Sequence, residues 1–341
     1  MMGRLHRCGR MLASTRLTLL GMVLLAVGAG LSYGNPVTTS VWVLVAPLGL
    51  LSLNLFAAIL VQPRINRRGG LLMFHIGLLS IVVLAALGRL TYYEAHIELL
   101  SGESFDPANV IEPRQGPWHM GELDAVEFVQ GPYTVEYGSA LKRGATRSHV
   151  AIPDGSGGWL EEVVGDDTPL VLKGYRFYTS FNKGFAPILS WTPTGGVPVT
   201  GSVHMPAYPL FEYKQDNSWT PPGGNEIKFW LRLDTGYTEE SAWVLDGRQA
   251  SGVLIVNSGE QRLELHPGDE VALAGGRLRY EALNSWLGYK IFYDPTLKWL
   301  FFAAILGVVG LARHYWSKFD ALSSVASLDS ASPATEKVVN R

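Results

Sequence analysis

Four long apolar stretches constrain this 341-residue chain more than any other feature of its sequence. Three of them lie at residues 17–33, 41–62 and 70–92, and the fourth occupies residues 298–316. A helix needs about 20 apolar residues to cross the hydrocarbon core of a bilayer. The sequence therefore predicts four transmembrane helices, three of them before a large polar segment and one after it.

The first stretch shares a basic start and an apolar run with secretory signal peptides. It is long, however, and the sequence Leu-Ser-Tyr-Gly that begins at Leu31 is a poor small-x-small cleavage site. A second apolar stretch also follows within a few residues, which is typical of a polytopic membrane protein. We therefore interpret residues 17–33 as a retained helix.

The positions of lysine and arginine predict how the helices are oriented. The first loop, residues 34–40, has no basic residue, whereas the two tails and the second loop contain Arg4, Arg7, Arg10, Arg16, Arg64, Arg67, Arg68, Arg313 and Lys318. Because basic flanks stay in the cytoplasm, we expect both termini there. The segment 93–297 then lies on the periplasmic or outer face of a bacterial inner membrane. Residues 1–16 form a basic cytoplasmic tail, and residues 317–341 form a disordered one.

The segment between the third and fourth apolar stretches has the pattern of β-structure. Short runs of alternating apolar and polar residues are separated by Gly, Pro, Asn and Asp, as around residues 226–233 and 252–256. Alternation with a period of two is typical of strands that bury one face. No stretch keeps a helical period, so we expect residues 93–297 to form an antiparallel all-β domain, either a sandwich or an open barrel.

The predicted exported domain is acidic. Residues 93–297 contain 27 Asp and Glu against 15 Lys and Arg, a net charge of −12 without histidine. Such a surface repels nucleic acid and attracts a basic protein such as a small cytochrome, although acidity also serves solubility alone. The single cysteine, Cys8, lies outside this domain, which excludes a disulfide or a Cys-x-x-Cys motif within it.

Two histidines are candidate haem ligands. His75, in the sequence Leu-Met-Phe-His-Ile-Gly, is the one ionisable residue well inside an apolar stretch. Ionisable residues are costly in membrane helices and are usually functional, and a neutral imidazole is a common axial ligand of haem iron. A helix–helix hydrogen bond, or an interfacial position at which the ring faces water, would also explain His75. His96, close to Tyr92 and Tyr93, is a weaker candidate, because an interfacial histidine there needs no metal.

The remaining motifs predict no catalytic residue and no metal site other than haem iron. The other histidines of the β-rich segment lack metal-ligand spacing, and they are His119, His149, His204 and His266. The acidic pairs Glu161–Glu162 and Asp166–Asp167 lie in a turn region, either as solvated charges or as a loose Ca²⁺ site. The chain has no nucleophile elbow, phosphate-binding glycine loop or zincin motif.

Several segments resemble the ResB family of cytochrome c biogenesis proteins. The matching segments are Phe74–Leu79, Gly88–Thr91, Ile97–Phe105, Pro169–Ser180 and Tyr293–Trp299. The layout of three helices, a large β-domain and one final helix is also similar to that family. The chain departs from the family in being short, with a β-domain that looks trimmed. It also has no tryptophan-rich haem-presenting loop of the kind that the family's partner protein carries.

The resemblance implies a subunit of a system II cytochrome c synthase, or haem lyase, that is not catalytic on its own. Such a subunit pairs with a ResC/CcsA-type polytopic membrane protein, carries haem b across the membrane and presents it to apocytochrome c. A thioredoxin-like reductant is a further partner. His75 matches the family's intramembrane haem ligand. The alternative is a membrane-anchored scaffold that docks the partner or the apocytochrome and binds no haem, as a divergent paralogue without transport would.

Overall fold

The structure is a computed structural model that describes residues 9, 11–234, 240–249 and 251–330, with side chains as far as residue 319. The predicted tail residues Arg4, Arg7, Cys8 and Arg10 lie outside the described residues, as does the segment 331–341. The chain divides into a helical unit and a β-domain. The helical unit comprises Met1–Tyr92, Gln115–His119 and Asp294–Arg341, and the β-domain comprises Tyr93–Arg114 and Met120–Tyr293.

The helical unit contains the four predicted apolar helices, each long and apolar enough to cross a membrane. Two of them are α1 (Thr15–Gly34) and α2 (Trp42–Val61), which the single-turn helix α3 (Pro63–Asn66) follows. The other two long helices are α4 (Gly69–Thr91) and α5 (Leu297–Ser330). Four such spans are typical of a membrane protein. The apolar part of α5 ends at Phe319, yet the helix continues through residues for which the sequence predicts disorder. No glycine or proline interrupts that extension, so nothing in its sequence stops the helix.

Glycines bring α4 and α5 into close contact. A β-carbon on Gly77 would lie 2.6 Å from the backbone nitrogen of Gly307, and one on Gly70 would lie 2.6 Å from that of His314. Lipid tails are as apolar as side chains, so helices in a membrane associate through close van der Waals packing instead of the hydrophobic effect. Larger residues at these positions would push the two backbones apart.

A buried asparagine fastens the start of α1 to α2. The amide nitrogen of Asn54 donates hydrogen bonds to the carbonyl oxygens of Leu12, at 2.5 Å, and Ser14, at 3.1 Å. Its amide oxygen accepts a hydrogen bond of 2.7 Å from the hydroxyl of Thr18. The polar residue inside α2 therefore hydrogen-bonds to the carbonyl groups of Leu12 and Ser14, which precede α1, and the Ser14 carbonyl also accepts hydrogen bonds from the backbone N–H groups of Leu17 and Thr18.

The β-domain is antiparallel throughout its described pairings, which confirms the predicted all-β class. The first sheet contains β1 (Tyr93–Leu100), β2 (Ile111–Gln115), β6 (Leu170–Leu172), β7 (Tyr175–Pro193), β8 (Val199–Ser202), β14 (Glu270–Leu273) and β15 (Gly276–Tyr293). The second contains β3 (Val129–Tyr137), β4 (Arg143–Pro153), β5 (Trp159–Gly165) and β11 (Trp243–Asp246). The third contains β9 (Asp216–Trp219), β10 (Ile227–Leu233), β12 (Gly252–Ser258) and β13 (Gln261–Leu265).

The centre of the first sheet is formed by β7 and β15, which pair along nearly their whole lengths. The order in this sheet is β2-β1-β15-β7-β6, with β14 beside β15 and β8 beside β7. The order in the second sheet is β11-β3-β4-β5, and in the third it is β13-β12-β10-β9. The pairing of β7 with β15 shifts register at two points along β15. Such bulges bend long strands, and here they occur in the strand pair at the centre of the sheet.

All three sheets contribute to one core that is rich in aromatic residues. The ring of Phe177 meets those of Phe105 and Phe128 edge-on, at centroid distances of 5.4 and 5.2 Å. A polar triangle lies beside this cluster. The hydroxyl of Tyr289 donates to Oε1 of Gln130 at 2.6 Å, Nε2 of Gln130 donates to Oγ of Ser148 at 2.8 Å, and the two hydroxyls lie 2.8 Å apart. The three buried side chains of this triangle thus each have hydrogen-bond partners, as burial requires.

Candidate functional site

His75 lies in α4, and a local hydrogen bond fixes its tautomer. Its Nδ1 is 2.7 Å from the carbonyl oxygen of Leu71, one helical turn earlier. A carbonyl oxygen only accepts hydrogen bonds, so Nδ1 carries the proton and donates it. The proton on Nδ1 leaves a lone pair on Nε2. An imidazole whose second nitrogen donates to a carbonyl has the arrangement that orients histidine ligands in metal sites.

The surroundings of the His75 ring are apolar. The Phe74 ring lies edge-on to it at a centroid distance of 5.4 Å, and its neighbours in α4 include Leu71, Leu72 and Ile76. At 3.6 residues per turn, His75 lies roughly 140° around the helix from Gly70. The side of α4 that touches α5 is marked by Gly70 and by residues on the same face. His75 therefore does not lie on the side of α4 that contacts α5.

His96 lies on β1 in the β-domain, in a stripe of charged side chains. It is half-buried and opposite Lys290 of β15 in the strand register. Glu94, two residues earlier on the same face, binds Nζ of Lys290 at 2.7 Å. Burial alone would raise the pKa of the Glu94 carboxyl, but the Lys290 hydrogen bond and nearby positive charges outweigh burial and lower it. His96 and His75 belong to different units, and among the residues that the structure describes no cluster of metal-ligating side chains surrounds either.

His204 lines a cleft of about 1000 Å³ in the β-domain. Its Nδ1 is 3.1 Å from Oε2 of Glu98, and its ring stacks on that of Trp286 at a centroid distance of 5.4 Å. Exposed aromatic side chains, including Phe211 and Tyr213, also line the cleft. In the sequence, His204 is a scattered histidine without metal-ligand spacing. Its partners are about 100 and 80 positions away, so no local spacing could have revealed the cluster.

His149 and the acidic residues Glu161 and Asp166 contact other side chains of the same chain. His149 pairs with Glu161 at 2.5 Å on the surface. Asp166 accepts hydrogen bonds from Arg143 at 2.6 Å and from the Thr179 hydroxyl at 2.8 Å, so its carboxylate binds protein donors in place of a Ca²⁺ ion. Within the described residues, no group of three or more His, Cys, Asp or Glu is arranged to hold a metal ion.

Lys183 is a buried cation that the sequence analysis did not identify. Only 3 % of its surface is exposed, and its Nζ donates one hydrogen bond, of 3.2 Å, to the carbonyl oxygen of Phe181. The ammonium also lies 5.4 Å from the centre of the Tyr137 ring. Burial, assisted by the positive charge of Arg143, lowers the pKa of Lys183 to about 8. Alternation of apolar and polar residues does not show this burial, because Lys183 follows Asn182 in a part of β7 where buried and exposed residues do not alternate.

Four helices that are long and apolar enough to cross a membrane, together with a large antiparallel β-domain, indicate a membrane protein. The chain matches no protein-family model and no curated protein. It is similar to a solved structure described as "Cytochrome c Heme Lyase CcmF", with 14% sequence identity over 89% of this chain and a TM-score of 0.28. The chain spans about a third of that protein, since the similarity covers 35% of its length. At that score the similarity assigns no residue a role.

Proposed function

We propose that the chain is a haem-handling subunit of a system II cytochrome c synthase, in which His75 binds haem iron inside the membrane. The observation that carries this proposal is the hydrogen bond from Nδ1 of His75 to the Leu71 carbonyl oxygen. It leaves Nε2 with a lone pair, as an iron ligand requires. The resemblance of the α4 sequence and of the chain layout to the ResB family supports the same role.

Haem b is the transported ligand in this proposal, and the residues around His75 would help to bind it. The Leu71 carbonyl holds the ring in one orientation and increases the basicity of Nε2. The apolar neighbours suit the porphyrin ring. In this proposal the second axial ligand comes from a ResC/CcsA-type partner, as the resemblance to the ResB family implies. A single coordinate bond from this chain lets the haem leave once the partner has received it.

The proposed orientation gives His75 access to cytoplasmic haem. Both termini lie in the cytoplasm in this arrangement, as the basic flanks predict. His75 is six residues after the start of α4 at Gly69, which places it roughly 9 Å from that end of the helix. Haem from the cytoplasm therefore reaches His75 first and continues through the partner to the exported side.

The β-domain is the proposed docking module on the exported side. Its net charge of −12 over residues 93–297 attracts a basic apocytochrome c, and a thioredoxin-like reductant that keeps the apocytochrome thiols reduced is a further candidate. Attraction between opposite surface charges weakens as salt screens it. Apocytochrome binding to the full complex should therefore weaken as the ionic strength rises. Binding that is retained after removal of the β-domain would contradict the docking role.

The visible spectrum of the complex tests the role of His75 directly. The chain is co-expressed with a ResC/CcsA-type partner and purified as the wild type, as His75→Ala and as His96→Ala. We expect a Soret band and reduced α and β bands in the wild type, their loss or shift in His75→Ala, and recovery on adding imidazole. His96→Ala is the matched control and should keep the wild-type spectrum.

Two outcomes would redirect the proposal. Equal haem content and equal spectra in the wild type and His75→Ala would show that His75 is no ligand, and the chain would then be a scaffold that docks its partners. Loss of the bands in His96→Ala alone would move the iron site to the β-domain. Comparing the yield of the purified complex for each variant separates ligand loss from misfolding.

A further inference from the structure

A cavity of about 520 Å³ in the helical unit collects positive charge. It lies where α4 begins and α5 ends its apolar part, and its lining residues include Arg68, Arg313, His314 and Lys318. No acidic side chain lines it, and none of its three Lys and Arg residues forms an ion pair with any residue whose side chain is described. The volume falls within the roughly 300–1,000 Å³ of small-molecule sites.

The convergence of these charges is built into the packing of α4 on α5. Arg68 and Arg313 are far apart in sequence, and they meet because Gly70 and Gly310 allow the two backbones to touch. The tendency of basic residues to stay in the cytoplasm accounts for cations near helix ends. It does not account for cations that share one cavity, where like charges repel unless an anion lies between them.

Backbone and side-chain donors also point to an anion. Arg68 provides no side-chain cap for α4, so the first N–H groups of this 23-residue helix lack partners within the helix and carry partial positive charge. His314 is 91% buried, since 9% of its surface is exposed. It lines the cavity, and its one described hydrogen bond, from the Ser317 hydroxyl, is accepted by its backbone carbonyl oxygen and not by its ring. An anion in the cavity would give each of these donors an acceptor.

The surface around the cavity matches the boundary between lipid head groups and acyl chains. Tyr315 and Trp316, adjacent to the lining residues, are 52% and 72% exposed, and such aromatic residues are typical of the head-group level. One to two turns towards the centre of α5, Val308 and Val309 are also exposed, at 68% and 49%. A ligand with a charged head and apolar tails would cover both surfaces.

We propose that this cavity binds the phosphate group of an anionic glycerophospholipid. Arg68 and Arg313 hold the phosphate oxygens, since guanidinium groups match phosphate with two parallel hydrogen bonds. Lys318 adds a third charge, and the acyl chains lie along the exposed valines of α5. Basic pockets between membrane helices bind anionic head groups in this manner. The site is independent of haem binding at His75, so either proposal stands without the other.

Native mass spectrometry of the full-length protein in detergent micelles tests the assignment. Phosphatidylglycerol and phosphatidylcholine are titrated in turn, and the bound lipids are counted. We expect the wild type to bind one phosphatidylglycerol preferentially. Each basic residue near a head group contributes about fivefold to affinity, so the double variant Arg68→Gln/Arg313→Gln should bind it roughly 30-fold more weakly.

Arg67→Gln is the matched control for this experiment. Arg67 is exposed and immediately precedes Arg68, but it does not line the cavity. It should therefore leave lipid binding within about twofold of the wild type. Lys318→Gln alone should weaken binding about fivefold. All four side chains are solvent-exposed in the structure, so the variants are expected to fold, and an unchanged thermal melt verifies this.

Four results would overturn the proposal. An equal loss of binding in Arg67→Gln would indicate diffuse attraction by the basic surface. Equal binding of phosphatidylcholine would remove the requirement for negative charge. Inorganic phosphate that displaces phosphatidylglycerol at equal concentration would make free phosphate the ligand, and loss of haem with full lipid binding in the double variant would make the cavity a site for porphyrin carboxylates.

Discussion

The helical unit and the β-domain each have a different kind of internal packing. In the helical unit, glycines such as Gly77 let backbones touch, whereas the β-domain interleaves large aromatic side chains around Phe177. The two parts of the chain also differ in net charge. Residues 93–297 carry a net charge of −12, while the rest of the chain has 13 basic and 3 acidic residues. The surrounding solvent explains the contrast, because burying a large side chain gains free energy from water and almost none from lipid.

Both units bury polar side chains, and in both units these side chains form several hydrogen bonds. Asn54 alone connects α1 and α2 through three hydrogen bonds. In the β-domain, Tyr289, Gln130 and Ser148 satisfy one another in a closed triangle. Lys183 breaks this rule, since its buried ammonium has a single hydrogen bond. Substitutions in each unit therefore test whether packing or polar contacts determine its stability.

The largest effect is expected from the aromatic core of the β-domain. Replacing the fully buried Phe177 by alanine should lower the free energy of unfolding by about 3–5 kcal/mol, because it removes apolar contacts and leaves a cavity. Urea unfolding of the protein in micelles, followed by tryptophan fluorescence, measures the change. Phe181→Ala is the matched control on the same strand.

Phe181 is 74% exposed, and its ring contacts the guanidinium of Arg143 at 4.4 Å. Its replacement by alanine should cost no more than about 1 kcal/mol. If both variants lose the same free energy, the aromatic core does not govern the stability of the β-domain, and the contrast between the two units fails at its main point.

An intermediate effect of opposite sign is expected from Lys183→Met. Burial lowers the pKa of Lys183 to about 8 from its usual value of 10.5, so at pH 7 its charged form is less favourable in the folded state. Removing the charge should stabilise the β-domain at pH 7 by about 2–3 kcal/mol. The same urea titration at several pH values measures this gain.

The pH dependence distinguishes a charge effect from a packing effect. Below pH 8 Lys183 is protonated in both the folded and unfolded states, so its penalty is complete. Between about pH 8 and 10 only the unfolded state keeps the proton, and wild-type stability should rise. Above that range the buried Tyr137, whose pKa burial raises to about 12, makes stability fall in both proteins. A Lys183→Met variant with the same rise as the wild type would contradict this explanation.

The smallest effect is expected in the helical unit. Asn54→Leu removes three hydrogen bonds, yet such bonds between membrane helices contribute only about 0.6–2 kcal/mol, because the separated helices also find partners. Resistance to unfolding in sodium dodecyl sulfate measures the loss. Ser52→Ala is the control, since Ser52 donates only within its own helix, to Leu48 at 2.8 Å. A loss above about 3 kcal/mol for Asn54→Leu would mean that polar contacts dominate this unit.

The sequence predicted the classes of structure that depend on local patterns. A bilayer requires a long apolar run, and a strand with one buried face requires alternation, so the four helices and the antiparallel β-domain could both be predicted. The pairing of β7 with β15 could not be predicted, because alternation does not specify a partner 100 residues away. The continuation of α5 beyond Phe319 was also missed, since an apolar run indicates where lipid contact ends and not where the helix ends.

The candidate sites divide in the same way. His75 stands out in the sequence as an isolated ionisable residue, and the hydrogen bond to Leu71 that fixes its tautomer spans a single helical turn. Its role as a ligand stays a prediction. The cavity lined by Arg68 and Arg313 and the cleft around His204 assemble from distant segments. Only the folded chain brings those residues together, so the sequence showed the basic flanks of the helices but not the cavity that they share.

The pairing of β1 with β15 sets a delay in the assembly of the β-domain. Tyr93, at the start of β1, pairs with Tyr293, at the end of β15, and the ribosome makes the intervening 200 residues at about 5–20 residues per second. One edge of β1 therefore waits roughly 10–40 s for its partner during synthesis. In that interval its free edge can pair with a strand of another chain.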